Sequence, residues 1–301
     1  MNIVVIGAGA IGSLFGALLS KKNTVVLVGR TPHINAIQHR GLNITGKNQL
    51  HVTLTAFDST KNVTTTPDLI LLTVKSYDTA TAIKHTVPLL GSETVVLSLQ
   101  NGLDNIENIE QVIEKNRILA GVTTHGAIFS NPGEIVHTGK GTTILGELNG
   151  TRSQRLESIV HVFNEAGIET SISTDIKKEI WAKAIINSSI NPLTTFLRCR
   201  NGYLLENPLL EYFVEAVCTE STNVARAEGI GLLTVDMIKR TKKVITKTAE
   251  NYSSMLQSSQ QGKITEIESI NGKFVFLGKK HGIPTPLNKI LCTLVTSSSH
   301  T

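Results

Sequence analysis

Lys183, Asn187 and Asn191 recur at intervals of four in the stretch Trp181-Ala182-Lys183-Ala184-Ile185-Ile186-Asn187-Ser188-Ser189-Ile190-Asn191-Pro192. On an α-helix that spacing stacks all three side chains on one face. A lysine and two asparagines amid Ile and Ala make an odd solvated face, which would carry Glu and more Lys; an exposed face remains the alternative. A lysine, with an ordinary pKa of about 10.4, is charged at neutral pH and can protonate an oxygen that gains negative charge. Amides can bind a carboxylate or an alcohol in one orientation without competing for that proton. Pro192 disfavours helical backbone at the residue before it, so the stripe is expected to stop at a helix terminus.

A second constellation lies at the N-terminus. Gly7-Ala8-Gly9-Ala10-Ile11-Gly12 follows a β-rich run at Asn2–Ile6 and opens a helical pattern over 11–20. G-x-G-x-x-G alone is weak, but between a strand and a helix each glycine has a task. Gly7 permits the tight turn, and the bare Cα of Gly9 lets a pyrophosphate approach the backbone. Gly12 lets the helix pack closely on the strand, while the helix N–H groups and dipole face the phosphates. The run from Gly7 through Ala8, Gly9, Ala10 and Ile11 to Gly12 therefore reads as a dinucleotide cradle; a strand–turn–helix without a ligand is the alternative. After the second strand, Thr24–Val28, the chain reads Gly29-Arg30-Thr31, with no acid for a ribose 2′-hydroxyl and a cation able to grip a 2′-phosphate. That favours NADP over NAD, unless Arg30 faces solvent and either is accepted. Two further residues follow strand-like runs: Lys75 after Leu71-Leu72-Thr73-Val74, and Asn101 after Val96-Leu97-Ser98-Leu99-Gln100. Ligands of parallel sheets sit beyond such ends, although a loop lysine and an Asn-Gly turn are equally ordinary.

The elements that must position these residues divide in character. Up to about residue 174, β-rich runs at 69–74, 94–97 and 118–122 alternate with helical patterns, as in a parallel sheet covered by helices. Runs at 134–137 and 142–146 flank Gly139-Lys140-Gly141 and read as a hairpin; a helix over 153–166 and a strand near 170–173 follow. Beyond, helical patterns dominate at 176–191, 208–228, 235–250, 265–282 and from 287, and the polar end, 297–301, is expected to fray. The fold class is α/β: a Rossmann-type parallel sheet domain over 1–174, then an all-helical domain over 175–301. Hydrophobic residues at 40% and charged residues at 18% suit a globular chain, and 4% aromatics leave the core to aliphatic packing. The formal charge of +5 is unclustered, which argues against nucleic acid and for small anions. Cys199, Cys218 and Cys292 form no CxxC pair and no zinc spacing, so we expect no metal and a reduced, cytoplasmic setting. The apolarity of 3–19 is explained by the glycine-rich turn and its helix rather than by a leader or membrane segment.

Taken together, the sequence resembles the ketopantoate reductase (2-dehydropantoate 2-reductase) family nearly end to end. The resemblance rests on residues 7–12, Thr73-Val74-Lys75, Gln100-Asn101-Gly102, Thr123-Thr124-His125, the segment from Trp181 to Thr194, Asn201-Gly202, Ser253-Ser254-Met255-Leu256-Gln257 and Thr265-Glu266-Ile267-Glu268 with Asn271-Gly272. It implies NADPH-dependent reduction of 2-dehydropantoate to (R)-pantoate, on the route to pantothenate and coenzyme A. By motif, Lys183 is then the proton donor. Asn187, Asn191, Asn201, Asn251, Ser254 and Asn101 would hold substrate, while Gly7 to Gly12, Arg30, Lys75, Asn101, the backbone at Ala127, and Glu266 would serve the cofactor. Glu266 otherwise reads as an exposed acid in the first turn of a helix. Rival readings are a related dehydrogenase for another 2-oxo or 2-hydroxy acid, and a nicotinamide sensor without turnover, which would need no proton donor. The apolar content of 209–217, 274–277 and 291–295 suggests a homodimer joined by the helical domain.

Overall fold

The computed structural model describes residues 1–298. Proximity of Cα atoms divides the chain into two units, Met1–Gln100 with Asn105–Ile176, and Asn101–Asp104 with the residues from Lys177 onward.

The first unit runs β1 (Asn2–Ile6), α1 (Ala10–Leu19), β2 (Thr24–Val28), α2 (Thr31–Arg40), β3 (Leu42–Gly46), β4 (Leu50–Val52), β5 (Thr55–Phe57), β6 (Leu69–Leu72), α3 (Thr79–Thr86), β7 (Val95–Ser98), α4 (Asn105–Glu110), β8 (Ile118–Thr123), β9 (Gly126–Asn131), β10 (Glu134–Gly139), β11 (Thr143–Glu147), α5 (Gln154–Glu165) and β12 (Thr170–Ile172). Eight strands form the main sheet in the order β12-β11-β8-β7-β6-β1-β2-β5. Its pairings are parallel except β11 on β8. Central strands covered on both faces must be apolar throughout, and β6, Leu69-Ile70-Leu71-Leu72, is wholly buried. Successive side chains point to opposite faces. Ile3, Val5, Leu69 and Leu71 join Phe15 and Phe163 in one layer, and Val4, Ile6, Ile70 and Leu72 join Ile83 and Ile109 in the other.

The expected hairpin over 134–146 does not form. β10 pairs with β9 and β3 in a separate four-stranded sheet, β4-β3-β10-β9, whereas β11 returns to the main sheet. The tight turn is instead Pro132-Gly133 between β9 and β10, where Gly133 has φ +81°. That placement obeys the turn chemistry of Pro followed by Gly. Gly141 passes so close to Thr124 and His125 that an added Cβ would sit about 2.4 Å from the His125 nitrogen, which makes it a crossing point between sheets. A buried histidine ties the small sheet to α1. The Gly133 N–H donates to His33 Nδ1 (2.9 Å), so the proton resides on Nε2, which donates to Ser13 Oγ (2.9 Å). Burial pushes the His33 pKa down to about 4, keeping this lock neutral.

In the second unit, α6 (Ile176–Leu197), α7 (Tyr203–Glu206), α8 (Pro208–Ala227), α9 (Thr234–Lys247) and α10 (Ser254–Gln260) precede a π-helical turn at Glu268–Gly272, then α11 (Lys273–His281) and α12 (Pro286–Ser298). Of the end expected to fray, 297–301, Ser297 and Ser298 are instead the last turn of α12, and residues 299–301 lie outside the described residues. The helix expected over 265–282 starts later and opens with the π turn before continuing as α11 to His281, and the helix expected over 235–250 ends at Lys247. Val214, Val217, Phe274, Leu277, Leu291 and Val295 are buried in this unit's own core, so the apolar segments read as a dimer surface are partly spent there. Leu209, Tyr212, Phe276 and Ile290 stay exposed.

A further expectation is corrected at Pro192. Helix α6 does not stop at Asn191 but continues through the proline to Leu197. A helical proline lacks the N–H that would bond the carbonyl four residues back, here Ser188 O. The Asn271 amide fills that role, donating from Nδ2 to Ser188 O at 3.0 Å and to Asn288 Oδ1 at 2.9 Å. Asn288 in turn donates to Glu220 Oε2 (3.0 Å). Asn271→Ala should therefore lower stability by roughly 1–3 kcal/mol, because it leaves the buried Ser188 O without that donor, while Asn288 Oδ1 keeps the Ser221 hydroxyl. In that background Pro192→Ala should recover part of the loss by returning an N–H to Ser188 O. Urea unfolding of the two single variants and the double variant checks this, and strictly additive losses would refute it.

Candidate active-site residues

In the first unit the glycine turn has the geometry of a cradle. The N–H groups of Gly7 and Ala8 both donate to Val28 O (2.9 and 3.0 Å), which curls the chain off β1. Gly7 sits at φ +106°, and a Cβ there would lie 2.5 Å from Val74 N; one on Gly12 would strike Gly7 O and the Thr73 hydroxyl. Protein packing explains both. It does not explain Gly9, whose added Cβ would meet nothing within 4 Å. A bare Cα facing open space fits a ligand that must approach the backbone. Helix α1 begins without a side-chain cap and with no acid in its first turn. Its first intrahelical bond is Ser13 N–H to Gly9 O, so the N–H groups of Ala10, Ile11 and Gly12 precede it. This donor set fits an anionic pyrophosphate.

Arg30 caps α2 just past β2, with its side chain 75% exposed and 3.7 Å from Asp78. Such a surface pair is weak, yet Asp78 competes for the cation in a way no local motif reveals. Lys75 is half-buried at the head of the turn after β6. Gln100 braces this region, donating to Val74 O (2.9 Å) and Thr79 Oγ1 (2.7 Å), and Thr79 donates to Asn105 Oδ1 (2.8 Å). Gln100 belongs to the Gln100-Asn101-Gly102 motif, but its bracing role depends on strand neighbours that the sequence does not display. Ala127 lies on β9, the edge of the small sheet, where half the main-chain groups point away from the ladder.

In the second unit, Lys183 and Asn187 are half-buried, Asn191 is buried, and all three stand on α6. Burial pulls the Lys183 pKa down to about 8, against the negative charge of Glu266, which raises it. Glu266 is itself buried rather than exposed, just ahead of the π turn and not in a helical first turn. Near the end of α6, Thr194 donates to Ser253 Oγ (2.8 Å), and Ser253 caps α10 by accepting from Leu256 N–H (3.2 Å). Ser253 is thus structural, which leaves Ser254 exposed beside it. Asn201 donates its N–H to Asn251 O (3.0 Å) and its Nδ2 to Thr248 Oγ1 (2.9 Å). Its Oδ1 is buried and accepts no hydrogen bond from the protein, so an acceptor remains for a hydroxyl. Asn251 is exposed. Asn101 belongs to this unit through the segment Asn101–Asp104. Separate contacts therefore link the end of the stripe to α10 and Asn201 to Asn251, and a charge interaction links Lys183 to Glu266. A groove of about 600 Å³ lined by Lys178, Lys239, Arg240 and Lys243 includes none of these residues. Among the described residues no cluster of His, Cys, Asp and Glu could hold a metal ion, and no helix is long and apolar enough to cross a membrane.

Comparison with known proteins follows the same division. The profile described as "Ketopantoate reductase PanE/ApbA" matches residues 3–150, and "Ketopantoate reductase PanE/ApbA C terminal" matches 175–298. The 2-dehydropantoate 2-reductase of Pyrococcus abyssi (strain GE5 / Orsay) is 41% identical over 98% of this chain and 97% of its own. A PanE/ApbA family ketopantoate reductase from Ralstonia eutropha JMP134 superimposes with a TM-score of 0.92 at 29% identity, covering 100% of this chain and 99% of that one. D-mandelate dehydrogenase with NADH and anilino(oxo)acetate does so with a TM-score of 0.93 at 28% identity and the same coverage.

Proposed function

This chain belongs to the ketopantoate reductase family, and we propose that it reduces 2-dehydropantoate to (R)-pantoate with NADPH, in the cytoplasm, on the way to pantothenate and coenzyme A. The observation that carries this reading is Lys183, a buried-side ammonium whose pKa is pulled to about 8 and which is the one cation of a stripe otherwise made of amides.

The turn from Gly7 to Gly12 and the first-turn N–H groups of α1 would hold the pyrophosphate, and Lys75, Arg30, the Ala127 backbone and Glu266 would serve the rest of the cofactor. The chemistry such a cofactor would supply when bound is hydride transfer to a ketone carbon. As the carbonyl oxygen gains charge, the Lys183 ammonium hydrogen-bonds it and delivers a proton from Nζ. Asn187, Asn191, Asn201, Asn251, Ser254 and Asn101 orient the carboxylate and hydroxyl without offering a competing acid. Low water access around Lys183 strengthens its pull on the developing oxyanion. In this scheme residues 1–174 form the cofactor domain and 175–301 the substrate domain.

A second reading is favoured by the likeness to D-mandelate dehydrogenase: the same machinery acting on another 2-oxo acid. A panel of 2-oxo acids, followed by NADPH absorbance, separates the two, and 2-dehydropantoate should give the highest kcat/KM. Lys183→Ala should lower kcat about 10²–10⁴-fold, the usual scale for losing a positioned acid. Because the acid must be protonated, kcat/KM should fall as pH rises through about 8. Glu266→Gln removes the charge that raises that pKa and should move the limb to lower pH. Turnover of Lys183→Ala within a few-fold of the parent would end the assignment.

For cofactor choice, Arg30→Ala should weaken NADPH far more than NADH, since only the former carries a 2′-phosphate for the guanidinium. Equal losses would show that Arg30 does not read that group. Exposed Leu209, Tyr212, Phe276 and Ile290 further support pairing of two chains. Sedimentation should show a species of twice 32.5 kDa, and a single species at the chain mass would exclude it.

A further inference from the structure

We propose that Ser269 is a positioning residue for this reduction, holding the segment Asn101–Asp104 so that Asn101 meets the reacting groups; the proposal rests on the function given above. After β7 and Gln100 the chain turns at Gly102, where φ is +100°, and runs as a short strap that belongs to the helical unit. The contacts that hold the strap include a backbone bond, a hydroxyl contact and apolar packing. The Leu103 N–H donates to Ser269 O at 3.1 Å, the Ser269 hydroxyl donates to Asp104 Oδ2 at 3.3 Å, and the Leu103 side chain packs against the helical core.

Ser269 is only 9% exposed and lies in the π turn. Such turns are rare and cluster at functional sites, because the added residue redirects neighbouring groups. Here the residues from Thr265 to Asn271 are all buried except Glu268. Two residues after Ser269, Asn271 holds Ser188 of α6, between Lys183 and Asn191. Three residues before it stands Glu266, the charge that acts on Lys183. The π turn thus holds the backbone of the strap and the middle of the stripe, and the acid that tunes the lysine lies just ahead of it. At 3.3 Å the hydroxyl contact to the Asp104 carboxylate is a long one that adds to the backbone bond from Leu103, and it acts on Asn101 through the backbone of the strap. Its loss should therefore loosen Asn101 without unfolding the helices.

Four proteins test this: Ser269→Ala, Ser269→Thr, Asn101→Ala and the double variant Ser269→Ala/Asn101→Ala. Ser269→Ala should lower kcat/KM for the 2-oxo acid about tenfold and speed amide exchange at Leu103, and Ser269→Thr, which keeps the hydroxyl, should restore both. Residues that act as a unit are non-additive, so Ser269→Ala should cost almost nothing further once Asn101 is Ala. Full additivity, or turnover of Ser269→Ala equal to the parent, would overturn the proposal. If the parent reduces no 2-oxo acid with NADPH, the functional reading itself fails. Faster Leu103 exchange in Ser269→Ala would then leave a strap anchor with no catalytic consequence, which also overturns the positioning role.

Discussion

The helical unit is organised around a carbonyl that its own helix cannot satisfy. Pro192 removes the partner of Ser188 O, and an unpaired buried carbonyl would be costly enough to break α6 there. Asn271 supplies the missing hydrogen bond from the π turn. Because α6 then continues, Asn191 keeps its place in the stripe and Thr194 reaches the cap of α10. The same amide reaches Asn288 and, through it, Glu220, whose carboxylate also accepts the Leu287 and Asn288 N–H groups at the start of α12. One side chain therefore joins α6, α8, α12 and the π turn by directional bonds, and the aliphatic core fills in around them.

Electrostatics around Lys183 follow from what surrounds it. Burial lowers the pKa of the ammonium, and the negative charge of Glu266 opposes that fall. The amides beside it are neutral at every pH of interest, so they bind without altering the lysine's charge balance. An acid whose pKa sits near the working pH gives up its proton readily and is still largely charged beforehand. A lysine on an ordinary solvated face would be charged but too weak an acid for that compromise.

How much of this could be read from the residues varies with how local the constraint is. The Gly7–Gly12 turn was legible as a turn, because Gly7 and Gly12 answer to neighbours within the turn or just past an adjacent strand. The stripe was plain for the same reason: a period of four needs no tertiary knowledge. The helix end expected at Pro192 failed because the compensating amide lies 83 residues from Ser188 along the chain. The hairpin failed in a different way. Gly139-Lys140-Gly141 looks like a turn, but strand pairing depends on partners such as β3 and β8, and the Pro132-Gly133 signal nearby was the true one. The short strands β3, β4 and β5 carry too little alternation to stand out. The burial of Glu266 and the Asp78 beside Arg30 exist only once the chain is folded.

The strap also has a topological consequence. The backbone passes from one unit to the other after Gln100, returns after Asp104, and passes again after Ile176. Two modules joined by a single passage can be separated, exchanged or inherited independently by cutting one linker. Here no single cut yields two whole modules. The helical half on its own would lose Leu103 from its core, and the sheet half would carry an apolar loop with no seat. The gene segment for either half is therefore incomplete without the other. A chain of this kind is expected to be copied, fused and diversified as one piece.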